Sequence, residues 1–354
     1  MQLFKFLFNL THWESWQYHV KYIPIAPAWM WYCLKAKSWW FFSASNPTIT
    51  FGGFEGEGKM EIYNQLPAGT FPETVYIKAG LDLCKVKRLV QENHFSYPFI
   101  VKPDVGLMGF MFRKISTFEE LAKYHQKMPV NYIVQKFVDL PVEVSVFYYR
   151  MPDTEKGTVS GFLKKQAPEV MGDGVSTLWQ LIQRNPDLKY KQQEMKVRHY
   201  ERLGDVLPEG KRFFLSYASN RSQGGKLGSL AHEIDADLTN VFDRISHQTK
   251  HFYYGRYDIK CASVEKLKKG LDFSILEYNG AGAGVQHVYG NSLSLPQACS
   301  TILKHWKMLY RISSYNHKVK GISYYNWKKG KQLLKAARQN IQLLKKLDAE
   351  FPVF

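Results

Sequence analysis

Cysteine is scarce in this 354-residue chain. The four present, Cys33, Cys84, Cys261 and Cys299, stand singly, with no CxxC pair and no zinc spacing. That excludes a disulfide scaffold and a zinc ribbon, and it fits a reducing cytoplasm. Long apolar runs are missing too: the longest, residues 22–34, falls short of the ~20 residues that a bilayer span requires. Only Lys5 precedes a short apolar stretch at the amino terminus, and no small-residue cleavage site follows, so a secretory signal is not expected. Neither GxxxxGK[ST] nor a GxGxxG that opens a helix occurs, which removes the Walker loop and the dinucleotide fingerprint.

Acids are in short supply, 31 against 48 Lys and Arg, for a net charge of +17. The basic residues are spread along the chain and no homeodomain, zinc-finger or RNP pattern accompanies them. Nucleic acid is therefore not expected as a partner, whereas acidic or phosphorylated small molecules and anionic lipids are. With 45% hydrophobic and 22% charged residues, the chain can bury a substantial core and hold two or three lobes.

Among what is present, Asp258 and the pair Glu277 and Asn279 stand out. Residues 256–261 and 273–279 both alternate polar and apolar side chains around a charged turn holding Lys269 and Gly270, so they read as paired strands. Paired in this way, Asp258, Glu277 and Asn279 can share one face, and two carboxylates with an amide oxygen are hard ligands suited to Mg2+. Because Mg2+ favours carboxylates plus phosphate oxygens, the set points to a nucleotide as the remaining ligand. A solvated strand edge is the alternative. Upstream, residues 98–103 form an apolar strand that carries Lys102, followed by a turn with Gly106 and Gly109 and a second strand over 110–115. A lysine at a strand mouth offers a point charge to phosphate, and glycines admit backbone N–H groups close to phosphate oxygens. Residues 132–138 and 142–149 read as two more strands.

In this order the motifs resemble the ATP-grasp superfamily over roughly residues 70 to 310. The resemblance implies an α+β fold in which two α+β lobes clasp ATP, and a reaction that joins a carboxylate to an amine through an acyl phosphate. It implies that Lys102 touches the ATP phosphates under the loop from Gly106 to Gly109. Gln135, Lys136, Phe137 and Val138 would form the hinge that reads adenine, with Gln135 where the family often has an acid, and Glu143 would accept from the ribose hydroxyls. Asp258, Glu277 and Asn279 match the family's Mg2+ ligands, and Arg256 matches an arginine that stabilises the tetrahedral oxyanion. Lys165 would be a second lysine near the transferred phosphate. The turn Gly172-Asp173-Gly174 leading into a helix near Ser176 is similar to that of the glutathione and cyanophycin synthetases, and a loop over residues 220–225 offers amides to an anion. Where family members have a Pro-Gly turn after the asparagine, this chain has residues 280–284, Gly-Ala-Gly-Ala-Gly, which implies a looser backbone or closer approach of a bulky acceptor. His287 and Tyr289 would line the acceptor pocket.

The two ends depart from that pattern. Residues 1–69 form an atypical segment dense in aromatics, including Trp13, Trp16, Trp29, Trp31, Trp39 and Trp40, which either pack on the next lobe or meet a membrane surface. The glycine-dense stretch 52–59 is a linker, or its acids and Lys59 orient an amine or a carboxylate. From residue 326 on, Leu333, Leu334, Ala337, Ile341, Leu344 and Leu347 recur at helical spacing among lysines, an amphipathic basic helix that covers the protein's own body or an anionic lipid surface. The divisions expected are 1–69, a small lobe 70–140, a large lobe 141–312 with the metal and acceptor site, and a helix over 313–354. The function expected is an ATP- and Mg2+-dependent ligase acting on small, anionic carboxylate and amine substrates, cytoplasmic, with a peripheral membrane location as an option. Alternatives are a kinase of the same fold acting on a hydroxyl of an anionic molecule, and a nucleotide-binding membrane-surface module without turnover.

Overall fold

The computed structural model describes residues 18–351 with Trp13 and Trp16, apart from residues 190, 217–218, 220–223 and 291–292. Residues 220–223, part of the expected anion loop, lie outside the described residues. The longer helices are Ala26–Ala36 (α1), Leu83–Glu92 (α2), Phe118–Lys127 (α3), Ala236–Gln248 (α4), Leu295–Lys318 (α5) and Trp327–Glu350 (α6).

Side-chain alternation along four short strands builds the first lobe. Thr74–Ile77 (β1), Phe99–Pro103 (β2), Arg113–Ile115 (β3) and Tyr132–Lys136 (β4) form an antiparallel sheet in the order β1-β4-β2-β3. Phe99, Val101, Tyr132 and Val134 share a buried cluster with Val86 and Val90 of α2 and Leu121 and Tyr124 of α3. Asp82 and Thr117 cap those two helices by accepting from backbone N–H groups in the first turn. With a period of two, Lys102 and Ile133 must then point the other way, toward the second lobe.

That lobe holds Val142–Tyr149 (β5), Thr158–Gln166 (β6), Glu169–Met171 (β7), Arg212–Phe214 (β8), Lys226–Ser229 (β9), Tyr254–Cys261 (β10) and Phe273–Asn279 (β11). Five of these strands make an antiparallel sheet in the order β11-β10-β5-β6-β9, and β7 pairs with β8. Helix α4 covers one face, where Leu238, Val241, Phe242 and Ile245 meet Val144, Val146, Tyr257 and Ile259. The same alternation leaves Glu143, Lys165, Arg256 and Asp258 on the opposite face. The expected α+β class and the pairing of the strand carrying Asp258 with that carrying Glu277 are thus present. One helical turn, Val264–Lys268, joins them in place of a plain hairpin turn.

The described segments on either side of the two lobes are built into this body. The 3-10 turns Phe41–Ala44 and Thr50–Gly52 are buried, and α1 packs on α5 through Trp29 on Trp306 at 5.0 Å and Tyr32 on Tyr310 at 4.9 Å. Asn46 fastens the segment to β10: its amide donates to Tyr254 O and Gly52 O, each at 2.9 Å, and accepts from the N–H groups of Tyr253 and Tyr254. Helix α6 begins against Trp40, whose indole stacks on Trp327 at 5.4 Å, and ends with Leu344 fully buried in the small-lobe core. Its apolar stripe therefore covers the protein's own body, the first of the two expected uses. Among the described residues no helix is long and apolar enough to cross a membrane.

Candidate functional site

The residues singled out by sequence converge on the face of the large sheet opposite α4. Asp258 lies opposite Glu277 in the β10–β11 register, and Arg256 lies opposite Asn279. On the other side Asp258 is opposite Ser145 of β5, and Glu143 is opposite Lys165 of β6. Lys165 Nζ lies 3.3 Å from both Glu143 Oε1 and Asp258 Oδ2, while the Arg256 guanidinium meets both Asp258 oxygens at 3.2 Å. The second Glu143 oxygen accepts from Ser219 Oγ at 2.8 Å.

Burial on its own would raise the Asp258 pKa, yet Arg256 and Lys165 beside it hold the carboxyl well below the usual carboxylate range. Lys165 is the mirror case: burial pulls its pKa down, but Asp258 and Glu143 more than offset that and the net shift is upward. Lys102 differs. It crosses from the small lobe to donate to Tyr63 Oη at 3.3 Å and to Leu276 O at 3.2 Å, and it forms no ion pair with a carboxylate among the described residues. Burial pushes its pKa down to about 8, with Glu277 and Glu143 opposing from farther off. It is a buried cation whose compensation is incomplete, the condition under which an incoming phosphate gains most.

Glu277 and Asn279 border an open cavity of about 350 Å³ between the lobes, together with Glu57, Lys59, Gly106 and Leu107. Two fully buried polar atoms there lack a partner, Glu57 Oε2 and Asn279 Nδ2. Burial pushes the Glu57 carboxyl up to about 7, opposed by its own backbone and Lys59 and reinforced by Glu277. Lys59 lies 4.0 Å from Glu277 and donates to the carbonyls of Asp104 and Gly106. Glu57 and Lys59 belong to the stretch, residues 52–59, that the sequence left open between linker and substrate contact. It lines the cleft.

For a divalent cation the donor chemistry fits at Glu277 and Asn279, hard oxygen ligands beside a cavity. Asp258 fits as a third ligand only if one of its two cationic partners gives way.

Several expectations need correction. The strand expected over 110–115 is confined to Arg113–Ile115, because Phe110 to Phe112 belong to the preceding turn, with positive φ at Met108, Gly109 and Met111. Helix α6 clamps that turn: Asn340 donates to Val105 O, Asp348 accepts from Met111 N–H, and Asp348 pairs with the buried Arg113 at 2.8 Å. A Cβ on Gly106 would meet Pro103 at 3.2 Å and Leu344 at 3.6 Å. Gly280 and Gly282 admit another turn of the same chain rather than a bulky acceptor, whereas a Cβ on Gly284 would meet only Arg256, at 4.0 Å. Ala281 and Gly282 N–H donate to Gly52 O and Gly53 O, and a Cβ on Gly282 would lie 2.0 Å from Phe54 O. His287 is buried against Phe147, His305 and Gly161, and Tyr289 stacks on Trp13, so both are packing residues away from the cleft. Asp173 accepts from the N–H groups of Val175 and Ser176 and so shapes its own turn, with the helix starting at Leu178 under a Thr177 cap.

In the segment expected to form the hinge, Gln135 donates to Thr74 Oγ1 at 2.8 Å, and Lys136 N–H goes to Glu73 O. Phe137 lies under Lys114 and Lys260, and Val138 O accepts from Lys260 Nζ at 3.0 Å.

No family model matches the sequence, and none of the curated proteins compared with it does. Solved structures do superpose. The bifunctional glutathione synthetase from Pasteurella multocida is 15% identical over 71% of this chain and 35% of its own, with a TM-score of 0.36. D-alanine–D-alanine ligase from Bacillus anthracis is 12% identical over 72% of this chain and 68% of its own, with a TM-score of 0.40. The ATP-grasp ligase PsnB is 15% identical over 69% and 60%, with a TM-score of 0.37. This chain thus spans about a third of the first and about two thirds of the others. Superpositions this loose carry no argument about its reaction, which rests on its own residues.

Proposed function

We propose that the chain is an ATP- and Mg2+-dependent ligase of the ATP-grasp type that joins a carboxylate to an amine through an acyl phosphate. One observation carries the reading: Glu277 and Asn279 border the interlobe cavity, Lys102 from the small lobe reaches the carbonyl of Leu276 next to Glu277, and Asp258, opposite Glu277 in the strand register, pairs with Lys165 and Arg256. Mg2+ held by Glu277 and Asn279, with Asp258 where a cation yields, would neutralise phosphate charge. A carboxylate oxygen of the substrate attacks the γ-phosphorus of ATP and ADP leaves. Lys102 and Lys165 bind the charge on the transferred group. The amine nitrogen then attacks the carbonyl carbon, and Arg256 stabilises the oxyanion before it collapses to the amide, inorganic phosphate and a proton.

Acceptor choice separates this from a kinase. A second cavity beyond Asn279 is bordered by Glu55 and Glu57, and Glu277 borders the first. Carboxylates there attract an ammonium group and repel a phosphorylated alcohol. The test is ATP turnover with Mg2+ against pooled carboxylates, amines and phosphorylated alcohols, following phosphate release and product mass together. A mass gain by condensation is expected. Gain of one phosphoryl group on a hydroxyl without free phosphate would make the protein a kinase, and the absence of substrate-dependent turnover would refute both.

A further inference from the structure

The +17 charge has an origin that the spread of lysines hides: the bases are distributed along the chain, and the acids are not. From residue 15 to residue 54 there is no Asp or Glu, and there is none from residue 278 to residue 347. These two stretches hold fifteen Lys and Arg, nearly the whole net charge. In the fold they pack together, as α1 and the aromatic turns against α5 and the first turn of α6.

Helix α1 is apolar on two opposite sides. Ile25, Trp29, Tyr32 and Cys33 form the inner stripe, in the aromatic core. Ile23, Pro27, Met30 and Leu34, spaced by four, three and four, form the outer one with Trp31 beside it. Ile23 is 66% exposed, Leu34 68% and Trp31 56%. Trp39 follows the helix, half exposed, and meets the exposed Trp327 edge-on at 6.2 Å. Lysines border this patch. Lys35 lies over the Trp31 ring at 5.4 Å, Lys37 is at the C-cap of α1, and Lys328 and Lys329 follow Trp327, all exposed.

A helix apolar all round is normally buried or spans a bilayer. At eleven residues, about 16 Å, α1 cannot span one. Exposed tryptophans and a leucine rimmed by lysines, in stretches that contain no acid, suit a helix lying flat at the boundary between headgroups and acyl chains. We propose that the outer face of α1, with Trp39 and Trp327, docks the protein onto an anionic lipid bilayer. This does not depend on the reaction assigned to the cleft.

The test is co-sedimentation of the full chain with phosphatidylcholine vesicles, and with vesicles of which about a third of the lipid is phosphatidylglycerol. Binding to the anionic vesicles is expected, weakened by salt. Trp31→Gln with Leu34→Gln is expected to lower it at least about tenfold, since both side chains are mostly exposed and their loss leaves the fold intact. Lys35→Glu, Lys37→Glu and Lys328→Glu together are expected to remove the preference for anionic vesicles while retaining the circular dichroism spectrum. Absence of binding to either vesicle would overturn the proposal, as would equal binding to both. So would a concentration-dependent dimer in analytical ultracentrifugation that Trp31→Gln with Leu34→Gln dissolves, because the patch would then be an interface between copies of the chain.

Discussion

Charge is arranged in opposite ways on two faces of this molecule. On the cleft face of the large sheet, Lys165, Asp258 and Arg256 are buried and, with the partly buried Glu143, form one chain of counter-charges at 3.2 to 3.3 Å. In the stretches that build α1, α5 and most of α6, charge has one sign, is mostly exposed and has no acid within those stretches to answer it. Buried charge must be paired locally, so each cleft residue has a defined partner and a shifted proton affinity. Exposed charge of one sign acts collectively through its field and tolerates loss of any single member. The first arrangement suits chemistry at one point, the second suits adhesion to a surface.

The contrast breaks most sharply at Asp258. Asp258→Asn with Glu277→Gln is expected to reduce metal-dependent ATP turnover at least about a thousandfold. Asp258→Asn alone also strands two buried cations, a loss of about 3 to 5 kcal/mol, which a urea melt would record. Lys102→Met should divide activity from stability. Because Lys102 is a buried cation with incomplete compensation, its removal is expected to leave the melt unchanged or improve it, while turnover falls at least about a hundredfold. A destabilised Lys102→Met protein would show that the lysine is structural.

The sequence made the cleft face legible because strand alternation assigns faces residue by residue. Asp258, Glu277 and Asn279 could be placed together from spacing, as could Lys102 on the side away from the small-lobe core. The clamp on the 104–112 turn was not legible: it is made by Asp348, more than two hundred residues away, and nothing local in the helical pattern marks one acid among lysines as buried. Gly280 and Gly282 were misread for the same reason. Spacing shows that something approaches closely, and only the fold shows that it is the turn holding Gly52 and Gly53. The aromatic segment packs on the next lobe through one apolar stripe of α1 and leaves another stripe exposed, which spacing alone did not separate.

A middle case is the pair Arg113 and Asp348, buried like the cleft but remote from its chemistry. Asp348→Ala is expected to cost about 3 kcal/mol by leaving Arg113 uncompensated and to raise hydrogen exchange in the 104–112 turn. If exchange there stayed unchanged, α6 would not be what holds the turn. Slightly smaller is the effect of acid. Burial pushes His287 and His199 down to about 4, and His305 well below its ordinary value. Between the unfolded value near 6.5 and those values the unfolded chain binds more protons, so stability is present above pH 6.5 and is lost as pH falls. For His287 alone the loss at pH 5 is about 2 kcal/mol. His287→Gln should flatten the dependence of the urea midpoint on pH between 7 and 5, and an unchanged slope would place the acid sensitivity elsewhere.

The smallest effect sharpens the comparison from its other side. Lys35, Lys37 and Lys328 have no carboxylate partner among the described residues and are exposed, so reversing any one of them is expected to change stability by no more than about 0.5 kcal/mol. Relief of repulsion within the acid-free side even favours a slight gain. Turnover in solution should be indifferent to these changes, because the field at the cleft is set by partners within 4 Å and solvent screens exposed charges beyond about 10 Å. A reversal at Lys35 that altered ATP turnover in solution would show that the two faces communicate, and the division between local pairing and collective field would fail there.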